Sequence, residues 1–88
     1  MAKVLIVDDA KIMRMNIRGI LEKLGHSIVG EADNGHHAIE EYQRCNPDFV
    51  TMDITMPKIN DINDGIDAVI KIKEYDNNAQ VVMVTSHG

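Results

Sequence analysis

The chain reads as an α/β fold, a doubly wound parallel sheet with helices on both faces, and three observations carry that reading. Strand-like and helix-like hydrophobic periods alternate along its 88 residues. The first strand-like run, Val4-Leu5-Ile6-Val7, is short and continuously apolar, as a strand buried on both faces is. Acidic or hydroxyl residues stand at the carboxyl ends of three of these runs, where such a sheet binds its ligands.

Lys3 to Val7 is the first strand, ended by Asp8-Asp9. From about Lys11 to Leu24 the apolar residues Met13, Ile17, Ile20, Leu21 and Leu24 recur at helical spacing, and Gly25 supplies the stop. Ser27 to Glu31 is a second strand and Asn34-Gly35 a loop. Ala38, Ile39, Tyr42 and Cys45 then form the inward stripe of a second helix that Pro47 closes. Phe49 to Met52 is a third strand running into Asp53. Gly65 to Tyr75 is a third helix around Ile66, Val69 and Ile70, and Val81 to Val84 a fourth strand followed by Thr85. Successive parallel strands need right-handed crossovers, and the helices supply them.

Composition narrows the function. With 88 residues the chain is one domain, and with no Trp and one Phe its core must be aliphatic. A net charge of −5 repels nucleic acid and anionic lipid, so neither is an expected partner. No apolar run is long enough to cross a bilayer and no signal-peptide pattern opens the chain, which reads as cytoplasmic. The single Cys45 forms no internal disulfide and is expected in the core. His26, His36, His37 and His87 lack metal-ligand spacing and are expected at the surface.

If the first, third and fourth strands are neighbours, Asp8, Asp9, Asp53 and Thr85 converge on one spot. Crowded carboxylates repel unless a cation or a shared proton intervenes. Mg²⁺ accepts hard oxygen ligands, keeps water and commonly binds phosphate oxygens as well. A carboxylate beside it is a competent nucleophile toward phosphorus once the developing charge is neutralised, and the Thr85 hydroxyl can donate to phosphoryl oxygens. Any one acid alone reads equally well as turn or cap chemistry. Reactive groups at successive strand ends read as a site.

Val4-Leu5-Ile6-Val7-Asp8-Asp9, Met52-Asp53-Ile54-Thr55-Met56-Pro57 and Val81-Val82-Met83-Val84-Thr85-Ser86 resemble, in order, the receiver domains of two-component response regulators, in their stand-alone CheY-like form. The resemblance runs from Lys3 to Gly88. It implies a flavodoxin-like sheet of strand order 2-1-3-4-5, an order taken from the family and not from this sequence. It further implies Asp53 as phosphoryl acceptor and Thr85 as the switch hydroxyl. Mg²⁺ would be held by Asp9, Asp53 and the Thr55 backbone carbonyl, with Asp8 acting through water. The implied partners are a sensor histidine kinase and a downstream output protein, and the implied role is signalling, not that of an enzyme.

Two departures from the family pattern stand out. Ile59-Asn60-Asp61 is repeated at once as Ile62-Asn63-Asp64, which lengthens the loop before Gly65. The resemblance also accounts for four strands and three helices of the usual five and five, so residues 1–88 read as a receiver lacking its fourth helix, fifth strand and fifth helix. The fourth strand would then be an open edge, favouring self-association. The alternative reading is a truncated receiver that serves as a binding or oligomerisation module without taking a phosphoryl group.

Other chemistries fit less well. A phosphatase of the haloacid dehalogenase type needs a second Asp two positions after its nucleophile, and Thr55 stands there. The acidic loop fails as an EF-hand, since Ile62 takes a ligand position and Lys71 the place of the bidentate Glu. No Gly-x-Gly-x-x-Gly follows the first strand, so a dinucleotide site has no support.

Overall fold

The computed structural model describes residues 1–54 and 64–84. Within them the order is β1 (Lys3–Val7), α1 (Lys11–Lys23), β2 (Ser27–Ala32), α2 (Gly35–Cys45), β3 (Phe49–Asp53), α3 (Asp64–Tyr75) and β4 (Val81–Val84). The four strands form one parallel sheet in the order β2-β1-β3-β4. That order reverses direction between β1 and β3, which opens a crevice beyond their carboxyl ends.

Local chemistry sets the helix boundaries. α1 ends in a Schellman arrangement: Gly25, at φ +89°, donates to the Glu22 carbonyl at 3.0 Å and His26 donates to the Leu21 carbonyl at 3.0 Å. α2 opens on Asn34, whose side chain accepts the His37 amide at 2.9 Å, so Gly35 is the first residue of the helix and not part of a loop. It ends on Asn46, in the left-handed region at φ 49°, directly before Pro47.

Side chains alternate across the sheet and divide the core in two. On one face Leu5, Val7, Val50 and Met52 pack with Ala38 and Tyr42 of α2 and Ala68 and Ile72 of α3. The other face carries Val4, Ile6 and Thr51, and α1 lies over its β1–β2 side. A bulge in β2 at Val29 breaks the β1–β2 register between Val4 and Leu5. The Val29 carbonyl accepts the Cys45 thiol at 3.2 Å and an Arg44 N–H at 3.4 Å, so side chains from the end of α2 cap the edge at its bulge.

Several expected burials are corrected. Met13, Ile17 and Leu21 are half-buried, but Ile20 and Leu24 are exposed, and α1 has no fully buried residue. On α3 the inward residues are Ala68 and Ile72 with Val69 beside them, while Ile66 and Ile70 face outward. Helical spacing alone fits both stripes, and the close approach of α3 to α2 selects the one containing the small alanine. Cys45 is only half-buried, and His26 is half-buried because its Nδ1 accepts the Ala2 amide at 3.0 Å while its ring meets Phe49 edge-on. No helix among the described residues is long and apolar enough to cross a membrane.

Candidate functional site

The site is assembled by register. Val7 of β1 pairs with Met52 of β3, so the residues that follow, Asp8 and Asp53, stand side by side where the two strands end. Both are buried, each 2% exposed, while Asp9 projects into solvent. One carboxylate oxygen from each of Asp8, Asp9 and Asp53 lies within 4.8 Å of the others.

None of these acids is used to cap α1, whose N-cap residue is Ala10 without a side-chain cap bond. Asp8 is instead fixed by its own turn. Its carboxylate accepts the Ala10 amide at 2.9 Å, its amide donates to the Ala32 carbonyl at 3.0 Å, and its carbonyl accepts Arg14 Nη1 at 2.7 Å. Burial pushes the Asp8 carboxyl above its ordinary range; the Ala10 amide opposes this, and the charges of Asp53 and Asp9 add to it. Its ionised form is therefore held at a cost that a cation in the crevice would offset.

The donor set fits such a cation. Three carboxylates are hard oxygen ligands, and their oxygens lie within 4.8 Å of one another, near enough to share one small divalent cation such as Mg²⁺.

Of the residues expected at the site, Asp8, Asp9 and Asp53 come together. Thr55, Thr85 and the lengthened loop up to Asn63 lie outside the described residues. Two contributors escaped the sequence reading. Arg14 links the Asp8 carbonyl to Glu31 of β2 through a second bond at 3.0 Å, and nothing in a helical pattern marks one of several polar residues as the one that turns inward. Thr51, two positions before Asp53, is buried on the α1-facing side. Its place on the same face as Asp53 was legible from the strand period of two.

Residues 4–88 match the family model of the response regulator receiver domain. The chain is 48% identical over 86 residues to the chemotaxis protein CheY of Thermotoga maritima, covering 98% of this chain and 68% of that protein. It superposes on a two-component response regulator of the LuxR family from Aurantimonas with a TM-score of 0.89 at 32% identity, covering all of this chain and 61% of that one. It also superposes on the Borrelia burgdorferi CheX-CheY complex with BeF₃ and Mg²⁺ with a TM-score of 0.85 at 39% identity, covering 98% and 63%. The chain thus spans about two thirds of the lengths of these proteins.

Proposed function

Since the chain belongs to the response regulator receiver family of two-component signalling, with a CheY-like α/β fold, we propose that its crevice takes a phosphoryl group on Asp53 from the phosphohistidine of a sensor histidine kinase. The observation that carries this reading is the meeting of the Asp8, Asp9 and Asp53 oxygens within 4.8 Å at the ends of adjacent strands. Asp9 and Asp53, with the Thr55 carbonyl, would hold Mg²⁺, and Asp8 would reach it through water. When bound, Mg²⁺ neutralises charge on the phosphoryl oxygens. The Mg²⁺ and BeF₃ of the B. burgdorferi complex support the same assignment.

In the transfer itself an Asp53 carboxylate oxygen forms a bond to phosphorus as the phosphorus–nitrogen bond to the donor imidazole breaks, and the electron pair of that bond leaves with the ring. The chain supplies position above all. The in-register strand ends fix Asp53 beside Asp8, and the Ala10 amide holds the Asp8 carboxylate in place. The Thr85 hydroxyl would then move toward the phosphoryl group as the switch, and an output protein would read the change. Chemotaxis is the process proposed by analogy with the CheY relatives.

Incubation of the chain with acetyl phosphate and Mg²⁺, followed by intact mass measurement, tests the proposal. One added phosphoryl group, absent without Mg²⁺ and absent in Asp53→Asn, is the expected result, and an adduct that survives in Asp53→Asn sinks the assignment. A second reading, association of the 88-residue chain through β4, is favoured by that strand's position at the outside of the sheet. Among the described residues β4 pairs only with β3, and Val82 and Met83 are exposed.

A further inference from the structure

Thr51 lies one row beneath the carboxylates. β3 carries it two residues before Asp53 on the same face, and its register partners are Ile6 of β1 and Val82 of β4. Neither neighbour offers a side-chain acceptor. Thr51 is 5% exposed, and its Oγ1 is buried without a hydrogen-bond partner. A buried hydroxyl left unmade is costly, whereas valine would fill the same volume, suit the strand equally and carry no polar atom.

Among the described residues of β1, β3 and their carboxyl ends on this face, the polar side chains nearest in the pleat are those of the row above, Asp53 directly and Asp8 diagonally. With a strand rise of about 3.3 Å per residue, Thr51 and Asp53 are separated by about 6.6 Å along β3, a span that one water bridges. We propose that Thr51 is a positioning residue for Asp53: its hydroxyl donates, directly or through one buried water, to the Asp53 carboxylate when the crevice holds a cation or a phosphoryl group. A hydroxyl that gains its acceptor only when the crevice is loaded favours the loaded state. The inference rests on the phosphoacceptor reading of Asp53.

The test compares the parent chain with Thr51→Val and Thr51→Ser by calorimetric Mg²⁺ titration, by the rate of acetyl phosphate modification, and by urea unfolding in chelator. In chelator Thr51→Val is expected to unfold at the same urea concentration as the parent or a higher one. Its Mg²⁺ affinity should fall about fivefold, the loss of one ordinary hydrogen bond, its modification should slow, and Thr51→Ser should restore both. Mg²⁺ affinity and modification rate unchanged in Thr51→Val overturn the proposal. So does a lower urea midpoint in chelator that Thr51→Ser repairs, because the hydroxyl would then serve the empty fold. A parent chain that neither binds Mg²⁺ nor gains a phosphoryl group overturns the reading of Asp53 itself, and that result is visible before any variant is compared.

Discussion

Asp8 and Asp53 extend one register row of the sheet: Val7 pairs with Met52, and the next residue on each strand is a carboxylate 2% exposed. Two carboxylates so placed, with Asp9 close by, repel one another and oppose folding when no cation is present. Replacing either by its amide removes a charge while keeping shape. Asp53→Asn and Asp8→Asn should each raise stability in chelator by about 1 kcal/mol, and added Mg²⁺ should stabilise the parent more than either variant. Urea unfolding with and without Mg²⁺ measures both effects, and two variants less stable than the parent in chelator would show that the cluster is not electrostatically strained.

Glu31 ties β2 to α1. It accepts Arg14 Nε at 3.0 Å and Arg18 Nε at 3.0 Å, and these bonds, that of Arg18 foremost, lower its pKa against the opposing effect of burial. A carboxylate with a lowered folded pKa contributes stability that is present above its ordinary value and lost as pH falls through the folded one. Glu31→Gln should therefore cost about 1 kcal/mol near neutral pH, with the difference from the parent closing in acid. Because these two ion pairs are partly exposed, salt should narrow the difference as well. A difference independent of pH and salt points to packing instead.

Tyr42 joins α2 to the end of α3 through its hydroxyl, which donates to Asp76 Oδ2 at 2.8 Å, while Asp76 Oδ1 accepts the Asn78 amide at 3.0 Å. Burial first, and the Asp76 carboxylate second, push the phenol up to about 12. The unfolded chain therefore loses this proton at lower pH than the folded one, and stability should fall as pH rises from the ordinary tyrosine value toward 12. Tyr42→Phe should cost about 1.5 kcal/mol at neutral pH and remove that alkaline loss. Unfolding followed from neutral to strongly alkaline pH, with Tyr42→Phe beside the parent, checks the sign.

Gly30 is required by a close approach. A Cβ built there would lie 2.8 Å from Cys45 Sγ and 3.2 Å from Leu5 Cδ1. Gly30→Ala should destabilise by about 1–3 kcal/mol through overpacking. Cys45→Ala removes the nearer obstacle, so the double variant should recover part of the loss, and a strictly additive pair would mean that the Leu5 contact dominates.

The extent to which these relationships were legible in the sequence differed by kind. The strands were, because short runs rich in β-branched residues and bounded by Asp, Gly and Pro have few other readings, and β1 and β4 fall where the pattern puts them. Asp8, Asp9 and Asp53 were legible as strand-end residues, though their meeting needed the β1–β3 pairing, an order taken from the family. The inward stripes of the helices were not. Ile66 and Ile70 match a helical period as well as Ala68 and Ile72 do, and only the facing surface of α2 decides between them. The Val29 bulge and the inward turn of Arg14 answer to tertiary contacts that no local pattern records.

Among the described residues β4 is an outer strand of the sheet. β4 reads Val81-Val82-Met83-Val84, without a charge, and Val82 is 50% and Met83 43% exposed. An uncharged β-branched edge with unpaired backbone groups is a template for another chain. Exposed Ile66 and Ile70 of α3 add apolar area to the same molecule. At about 25 cal/mol per Å², a few hundred Å² of such surface is worth several kcal/mol, comparable with the net stability of a small domain. The 88-residue chain should therefore associate at micromolar concentration, with sedimentation coefficients that rise with concentration. Val82→Lys places a charge on the edge without removing a core residue, so it should shift the population toward monomer at unchanged helix content. A parent chain that stays monomeric at all concentrations, with the amides of residues 81–84 strongly protected from exchange, would mean that β4 is already covered within one chain.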